Sequence, residues 1–363
     1  MSRSGALTLS LFDSVHALPP RLWDQLATQR PFTSVAWLAF VADIMDDWSP
    51  RFLLWQRNGE PMAAAICYRQ RRFHLSAHGA LRMGQGVLRP LLRLLAPMTC
   101  GVPVFGSHSA LLLSPQLDAW GFDTVVRDIE GLAWRSGAQW LGFDSLDSAM
   151  MAQLAPRYLR YFTHDEATLD LSPYTTYADY EQGLPKKKRS EIRRLRNRAR
   201  DAGVTVAIGP IDRGLAPTVR RLISETAARH GNEFLYTNDF LTRATTHLPE
   251  SSQRMLVVSK GGDAIGTVSL FKCGEHGLVK WIGLDYAQTE GSYAYHYLMT
   301  ETVTAALALG ITRLNLGGQA WALKKHMGAD AVPRYAALRW RNAPVQRLVA
   351  SFLIRPKRRG EAT

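Results

Sequence analysis

An internal duplication constrains what this chain can fold into more than its composition does. Residues 51–70, RFLLWQRNGEPMAAAICYRQ, have the pattern of a hairpin: an apolar strand, an Asn-Gly turn and an alanine-rich return strand. About two hundred residues later RMLVVSKGGDAIGTVSLFKC repeats the pattern, with Gly261-Gly262-Asp263 as the turn. Each hairpin is followed, after a variable stretch, by a helical pattern closed by glycine and then a strand. In the first half this is TVVRDIEGLAWRSGAQWLGFDS, with Gly137 ending the helix. In the second it is LMTETVTAALALGITRLNLGG, with Gly310 in that place. One α/β unit is therefore expected twice, each copy a mixed central sheet flanked by helices. The first copy carries the longer insert, His74–Trp120. A Ser-Pro-Tyr-Thr-Thr-Tyr stretch near Leu171–Tyr180 separates the halves. It predicts domains at 1–175 and 176–345, followed by a basic C-terminal helix and tail at 346–363.

The composition agrees with two packed domains. The 363 residues are 46% hydrophobic and 10% aromatic, too rich in core formers for a disordered chain. The most apolar stretches, around Leu91–Ala96 and Thr304–Leu309, fall well short of the ~18 residues of a spanning helix, so no integral membrane contact is expected. Asp13 and His16 interrupt the place where an export signal needs an unbroken apolar core. Cys67, Cys100 and Cys273 are odd in number and far apart, which excludes a cysteine zinc site and suits a reducing, cytoplasmic setting. No metal is expected.

The formal net charge of +13 is concentrated. Between Lys186 and Arg200 nine basic residues face one acid, Glu191, a net +8. From Arg341 to the end six basic residues face Glu361, a net +5, so the remainder is close to neutral. Pro185 and Gly203 bracket the first segment as a helix. Ile192, Leu195 and Ala199 share one face of it; Arg189, Arg193, Arg196 and Arg200 line another. Guanidinium forks pair well with phosphate oxygens. Lys186, Lys187, Lys188, Arg189, Arg193, Arg196 and Arg200 are thus candidates for nucleic-acid or phosphate binding. The competing reading is a solvated charged face, and the two stay open. The second segment reads as a short apolar helix, Val345–Ile354, docked on the body with a basic end.

Several mechanisms find no support, since the sequence has no phosphate-binding P-loop, no G-x-G-x-x-G, no H-E-x-x-H and no G-x-S-x-G. Gly106-Ser107-His108-Ser109 reads as a loop. The informative stretch is Lys280–Tyr335, where a strand ends near Asp285, a loop carries Gln288, Glu290 and Gly291, and a long helix follows. A loop opening into a helix offers free backbone N–H groups to an anionic or carbonyl oxygen.

The order Gly291-x-Tyr293 at the helix start, Ala306-x-x-x-Gly310 at its end, a strand into Gly317-Gly318-Gln319 and Lys325-x-x-Gly328 resembles the C-terminal domain of Fem-like aminoacyltransferases. It is similar too to the related BioF2-like acyltransferases of the GNAT superfamily. Ala228–Leu241 and the basic helix sit where that group has comparable helices. Trp23-Asp24, Pro31-Phe32 and Trp48-Ser49-Pro50 are similar to features of tandem relatives. The resemblance implies a tandem GNAT fold and transfer of an acyl or aminoacyl group to an amine. The donor would be aminoacyl-tRNA, or alternatively acyl-CoA, with no permanently bound cofactor. The acceptor would be an amine-bearing small molecule or peptide.

The usual CoA loop is Q/R-x-x-G-x-G/A. Here Gln288-x-x-Gly291-x-Tyr293 puts a bulky side chain in the last place, and the spacing around Arg82–Gly86 is off by one. For the transfer, Asp285 and His296 are candidate proton handlers and Tyr286 a donor to the leaving group. Gln288, Gly291, Gln319, Trp321 and Lys325 are candidates for substrate binding. Asp285 as a strand-end cap, His296 as a packing residue and Lys325 as a helix cap are the plainer readings. A non-catalytic fold that binds RNA or a partner is the third functional possibility.

Overall fold

A computed structural model describes residues 5–28, 30–45, 48–69, 97–103, 109–155, 157–230 and 236–353. Arg82–Gly86, Gly106-Ser107-His108, the tail from Ile354 and part of Ala228–Leu241 lie outside the described residues. The chain forms two compact units, each discontinuous in sequence: 1–35, 47–163 and 333–363, and 36–46 with 164–332.

In chain order the elements begin with β1 (Thr8–Phe12), α1 (Pro20–Ala27), α2 (Val35–Ile44), β2 (Pro50–Arg57), β3 (Glu60–Arg69), β4 (Met98–Cys100) and β5 (Leu111–Leu113). Then come α3 (Ala119–Arg135), β6 (Trp140–Leu146), α4 (Ser148–Leu154), β7 (Leu159–Asp170), α5 (Tyr177–Gly183), α6 (Lys186–Asp201), β8 (Val204–Gly209), α7 (Ala216–Arg229) and α8 (Phe240–His247). The rest are β9 (Gln253–Lys260), β10 (Asp263–Cys273), β11 (His276–Leu284), α9 (Tyr286–Thr289), α10 (Ala294–Ala308), β12 (Arg313–Asn315), α11 (Trp321–His326), β13 (Asp330–Trp340) and α12 (Ala343–Leu353).

The first unit's strands run in the order β1-β2-β3-β4-β6-β13, with β5 also on β3. The second unit's run β7-β12-β11-β10-β9-β8. Each sheet is mixed, because each holds one parallel pair among antiparallel ones: β4 with β6, and β11 with β12. A parallel pair needs a crossover, and α10 supplies it between β11 and β12. The repeat is present in both units. Asn58-Gly59 (φ 54° and 84°) closes β2–β3, and Gly261-Gly262 (φ 62° and 93°) closes β9–β10. Two consecutive positive φ angles match the right-handed twist of the flanking strands. Gly137 and Gly310 end α3 and α10 at positive φ as expected.

The second unit's core joins Leu256, Val258, Ile265, Val268 and Leu270 of the hairpin to Leu298, Met299 and Val303 of α10. Helix α2 also belongs to this unit, through Trp37, 5.4 Å from Phe271, and Phe40, 6.0 Å from Trp281. Asp43 fixes its end by accepting from Arg243 and from His247 at 2.9 Å.

Helix α7 lies directly on β11, which only glycine permits. A Cβ at Gly283 would fall 2.6 Å from Ile223 N and 2.7 Å from the carbonyl carbon of Leu222. Beside it, Leu284 N donates to Thr226 Oγ1 at 2.8 Å. Gly283→Ala should therefore lower stability by about 1–3 kcal/mol, seen as a lower urea midpoint with an unchanged slope.

Candidate active site

Three features of the second unit converge where β11 ends. The parallel ladder runs from His276↔Arg313 to Leu278↔Asn315. Beyond it the chain after β12 stays with β7, Leu316 N donating to Ala167 O at 2.8 Å. On its other side β11 carries a bulge. Val268 of β10 faces both Trp281 and Ile282, and Trp281 adopts φ 54°.

The turn after β11 is built by Asp285. Its carboxylate accepts from Ala287 N at 3.1 Å, Gln288 N at 3.2 Å and Gln288 Nε2 at 3.1 Å. The side chains of Asp285 and Gln288 thus close the first turn of α9 upon each other. Tyr286 leaves this turn toward α7. Its hydroxyl lies 3.0 Å from His230 Nε2, and the Arg229 guanidinium carbon sits 4.2 Å above its ring. Tyr295, on α10, is pushed up to about 12 by burial, with Tyr286 adding to the shift.

Gly291 (φ 69°) and Tyr293 (φ 57°) both take left-handed backbone on the way into α10. Tyr293, the N-cap, gives the helix no side-chain cap. Its hydroxyl instead accepts from Arg198 at 2.9 Å. His296 sits half-buried on the first turn of α10. Burial holds its imidazole below the ordinary value; His326 acts in the same sense and Glu191 opposes. Its charged surroundings thus come from α6 and α11. No hydrogen bond joins Asp285 to His296 among the described residues.

After β12, Gly317 turns at φ 79° and Ala320 at φ 55°. Gln319 and Lys325 are exposed and Trp321 is half-buried. The neighbouring Lys324 is 2% exposed, and its Nζ donates to Gly317 O at 3.1 Å. Desolvation pushes this ammonium down to about 8. The sequence does not single out Lys324, because a double lysine on a six-residue helix leaves open which one faces inward. His230 is likewise not marked by the sequence, since nothing local links it to a tyrosine 56 positions away.

The basic helix α6 is held down by carboxylates from other elements. Arg193 pairs with Glu181 on α5 (2.7 Å from Nε) and Arg196 with Glu301 on α10 (2.6 Å), both acids 8% exposed. Arg200 Nε reaches Tyr297 Oη at 3.2 Å, and Arg189 donates to Gln182 O at 3.0 Å. Arg194 pairs with Glu191 along the helix. Lys186, Lys187 and Lys188, on its first turn, have no such acid among the described residues. Nine cations against Glu181, Glu191 and Glu301 leave a surplus of +6.

The sequence model described as FemAB-like, peptidoglycan biosynthesis/recognition, matches residues 14–363. The chain belongs to the FemAB-like family. No curated protein matches this FemAB-like chain in sequence. Among solved structures, FemX is similar over 94% of this chain and 100% of its own, at TM-score 0.62 and 11% identity. The C-terminal domain of a putative lysylphosphatidylglycerol synthetase from Agrobacterium fabrum is similar over 94% and 98%, at 0.56 and 13%. A tandem GNAT protein from the clavulanic acid biosynthesis pathway is similar over 92% and 98%, at 0.53 and 12%. These likenesses agree with the α/β, tandem GNAT-like architecture.

Lys324 should be visible in the pH dependence of stability. Its folded-state affinity for a proton is below that of the unfolded chain, so unfolding takes up protons above about pH 8. Stability from this group therefore rises with pH from about 8 toward the ordinary 10.5. Lys280, also pushed down to about 8 by burial, contributes the same sign. Urea unfolding of Lys324→Met between pH ~8 and ~9.5, below tyrosine ionisation, should keep only roughly half of the wild-type rise.

Proposed function

We propose that this FemAB-like protein forms an amide bond by moving an aminoacyl group from aminoacyl-tRNA to the amine of a small-molecule or peptide acceptor. The observation that carries the reading is the surplus of +6 left on α6 after its acids are paired. Arg193, Arg196 and Arg200 are engaged by α5 and α10, while Lys186, Lys187 and Lys188 remain for a polyanion.

In the reaction the neutral amine attacks the ester carbonyl carbon, the C–N bond forms, and the C–O bond to the tRNA ribose breaks. The amine nitrogen loses a proton and the ribose oxygen gains one. Tyr286 is suited to protonate the departing oxygen, with His230 Nε2 relaying the amine's proton back to the phenol. Asp285 and Gln288 hold the turn that aims Tyr286. Lys324 steadies the Gly317-Gly318-Gln319 turn, beside which Gln319 and Trp321 would meet the acceptor.

An acyl-CoA donor is the second reading, favoured by the start of α10, where Tyr293 supplies no side-chain cap, Ser292 Oγ takes only Ala294 N, and the next backbone N–H groups suit a pyrophosphate. Against it stands Tyr293, which puts a side chain where that loop needs close backbone approach.

Binding of bulk tRNA across a salt series, with a CoA titration alongside, separates the two. Affinity for tRNA should fall on the order of a thousandfold between 50 and 200 mM salt. The Lys186→Glu, Lys187→Glu, Lys188→Glu variant should flatten the log–log slope by roughly two to three and leave the circular dichroism unchanged. No tRNA binding together with thermal protection by CoA would transfer the assignment to acyl-CoA. With charged tRNA and acceptor, Tyr286→Phe should lower the single-turnover rate by about a hundredfold at unchanged tRNA affinity.

A further inference from the structure

Cys67 and Cys100 stand far apart in sequence but face each other in the first unit's sheet, on the neighbouring strands β3 and β4. The antiparallel register sets Cys67 opposite Cys100, Tyr68 opposite Thr99 and Arg69 opposite Met98. Gly101 N donates to Ile66 O at 3.0 Å, so the backbone bond flanks the cysteine pair instead of joining it. In a pair of that kind the Cα atoms come to about 4.5 Å and the side chains lie closest. This spacing falls inside the window of ~4.4–6.8 Å that a disulfide accepts. Opposed residues also project to one face of a sheet, here into the core, where both cysteines are fully buried. The two thiols hydrogen-bond to each other. That bond, with burial behind it, pushes the Cys100 thiol well above its ordinary value.

We infer that Cys67 and Cys100 form a modification site, closed into a reversible cross-strand disulfide by hydrogen peroxide. One sulfur attacks an oxygen of the peroxide, the O–O bond breaks, and a sulfenic acid forms as one water leaves. The second sulfur attacks the sulfenic sulfur, the S–S bond forms, the S–O bond breaks and a second water leaves. The two thiols give up two electrons and two protons, and the peroxide takes up both. Burial selects the class of oxidant. A disulfide such as that of glutathione must bring a bulky substituent to the attacked sulfur, whereas hydrogen peroxide is little larger than water. Access comes from β4 itself, which has three residues and pairs with β3 and β6 over those three alone. Such a strand opens locally more readily than the eight-residue β2 and ten-residue β3. The adjoining thiol then captures the sulfenic acid before oxidation goes further. The closed bond ties β4 to β3 and so fixes one side of the parallel β4–β6 pair in the middle of this sheet.

The test is treatment of the native full-length protein with hydrogen peroxide, then blocking of the remaining thiols in urea and peptide mapping without reductant. A linked peptide pair holding Cys67 and Cys100 is expected, two hydrogens lighter than the separate peptides, and dithiothreitol should restore both thiols. In a Cys273→Ala background the thiols that titrate in urea should fall from two to none. Peptide mapping of the wild type gives the same answer should that variant fold poorly. Cys100→Ala, with unchanged circular dichroism, should lose the linked pair and carry added oxygen on Cys67 instead. Glutathione disulfide in place of the peroxide should leave neither cysteine with a glutathione adduct. Sulfinic or sulfonic acid at both wild-type positions without a linked pair would overturn the proposal. So would linkage that forms only in urea, or a glutathione adduct on either cysteine of the folded protein. None of these readouts depends on tRNA or on the transferase reaction.

Discussion

Two buried carboxylates, Glu301 and Glu181, govern how the second unit is put together. Neither has water enough to be stable alone, and each is answered by an arginine of α6. Leaving such a carboxylate without its cation costs about 3–5 kcal/mol, so Arg196 and Arg193 anchor α6 to α10 and α5. The Arg196 guanidinium also lies 5.0 Å from the Tyr177 ring, which ties the start of α5 to the same point. The helix that looks in sequence like a uniform basic stripe is thus divided by folding. Its middle arginines are structural, and its first-turn lysines carry the field that an anionic partner would meet. Reversing Arg193 or Arg196 would therefore report on folding before it reported on any ligand, and only the lysine end can be probed cleanly.

The same division explains what the sequence could and could not reveal. Both hairpins and both glycine-terminated helices were legible because turn chemistry is local. Asn58-Gly59 and Gly261-Gly262 need positive φ at consecutive positions, and Gly137 and Gly310 need it once. The acids that neutralise α6 were not legible, since the i±4 rule looks only along one helix, whereas Glu301 is 105 residues from its arginine. Helix α2 carried no sign of its destination either. Apart from Asp43 it is apolar along its whole length, so periodicity is silent about which core receives it.

Within the candidate site the legible part was the turn and the illegible part was its neighbours. Asp285 takes the cap position that a strand-end acid favours, and Tyr286 follows it on the exposed turn. Yet what Tyr286 meets, His230 and Arg229, arrives from the end of α7 through tertiary packing. Lys324 and Lys325 differ by a single step around α11, about 100°. That step puts one amine on Gly317 O inside the fold and leaves the other in solvent.

The geometry around Tyr286 finally rests on a missing side chain. Gly283 lets α7 touch β11 backbone to backbone, and Thr226 then bonds Leu284 N, the last residue before the Asp285 turn. His230 caps the same helix four residues after Thr226, so any displacement of α7 from β11 carries the imidazole away from the phenol. A Cβ at position 283 would have to push on the backbone of Ile223, which cannot yield as a flexible side chain can. Stability and the Tyr286–His230 contact are coupled through this one close approach. A substitution there is expected to loosen both together, whereas one at Tyr286 itself touches only the chemistry.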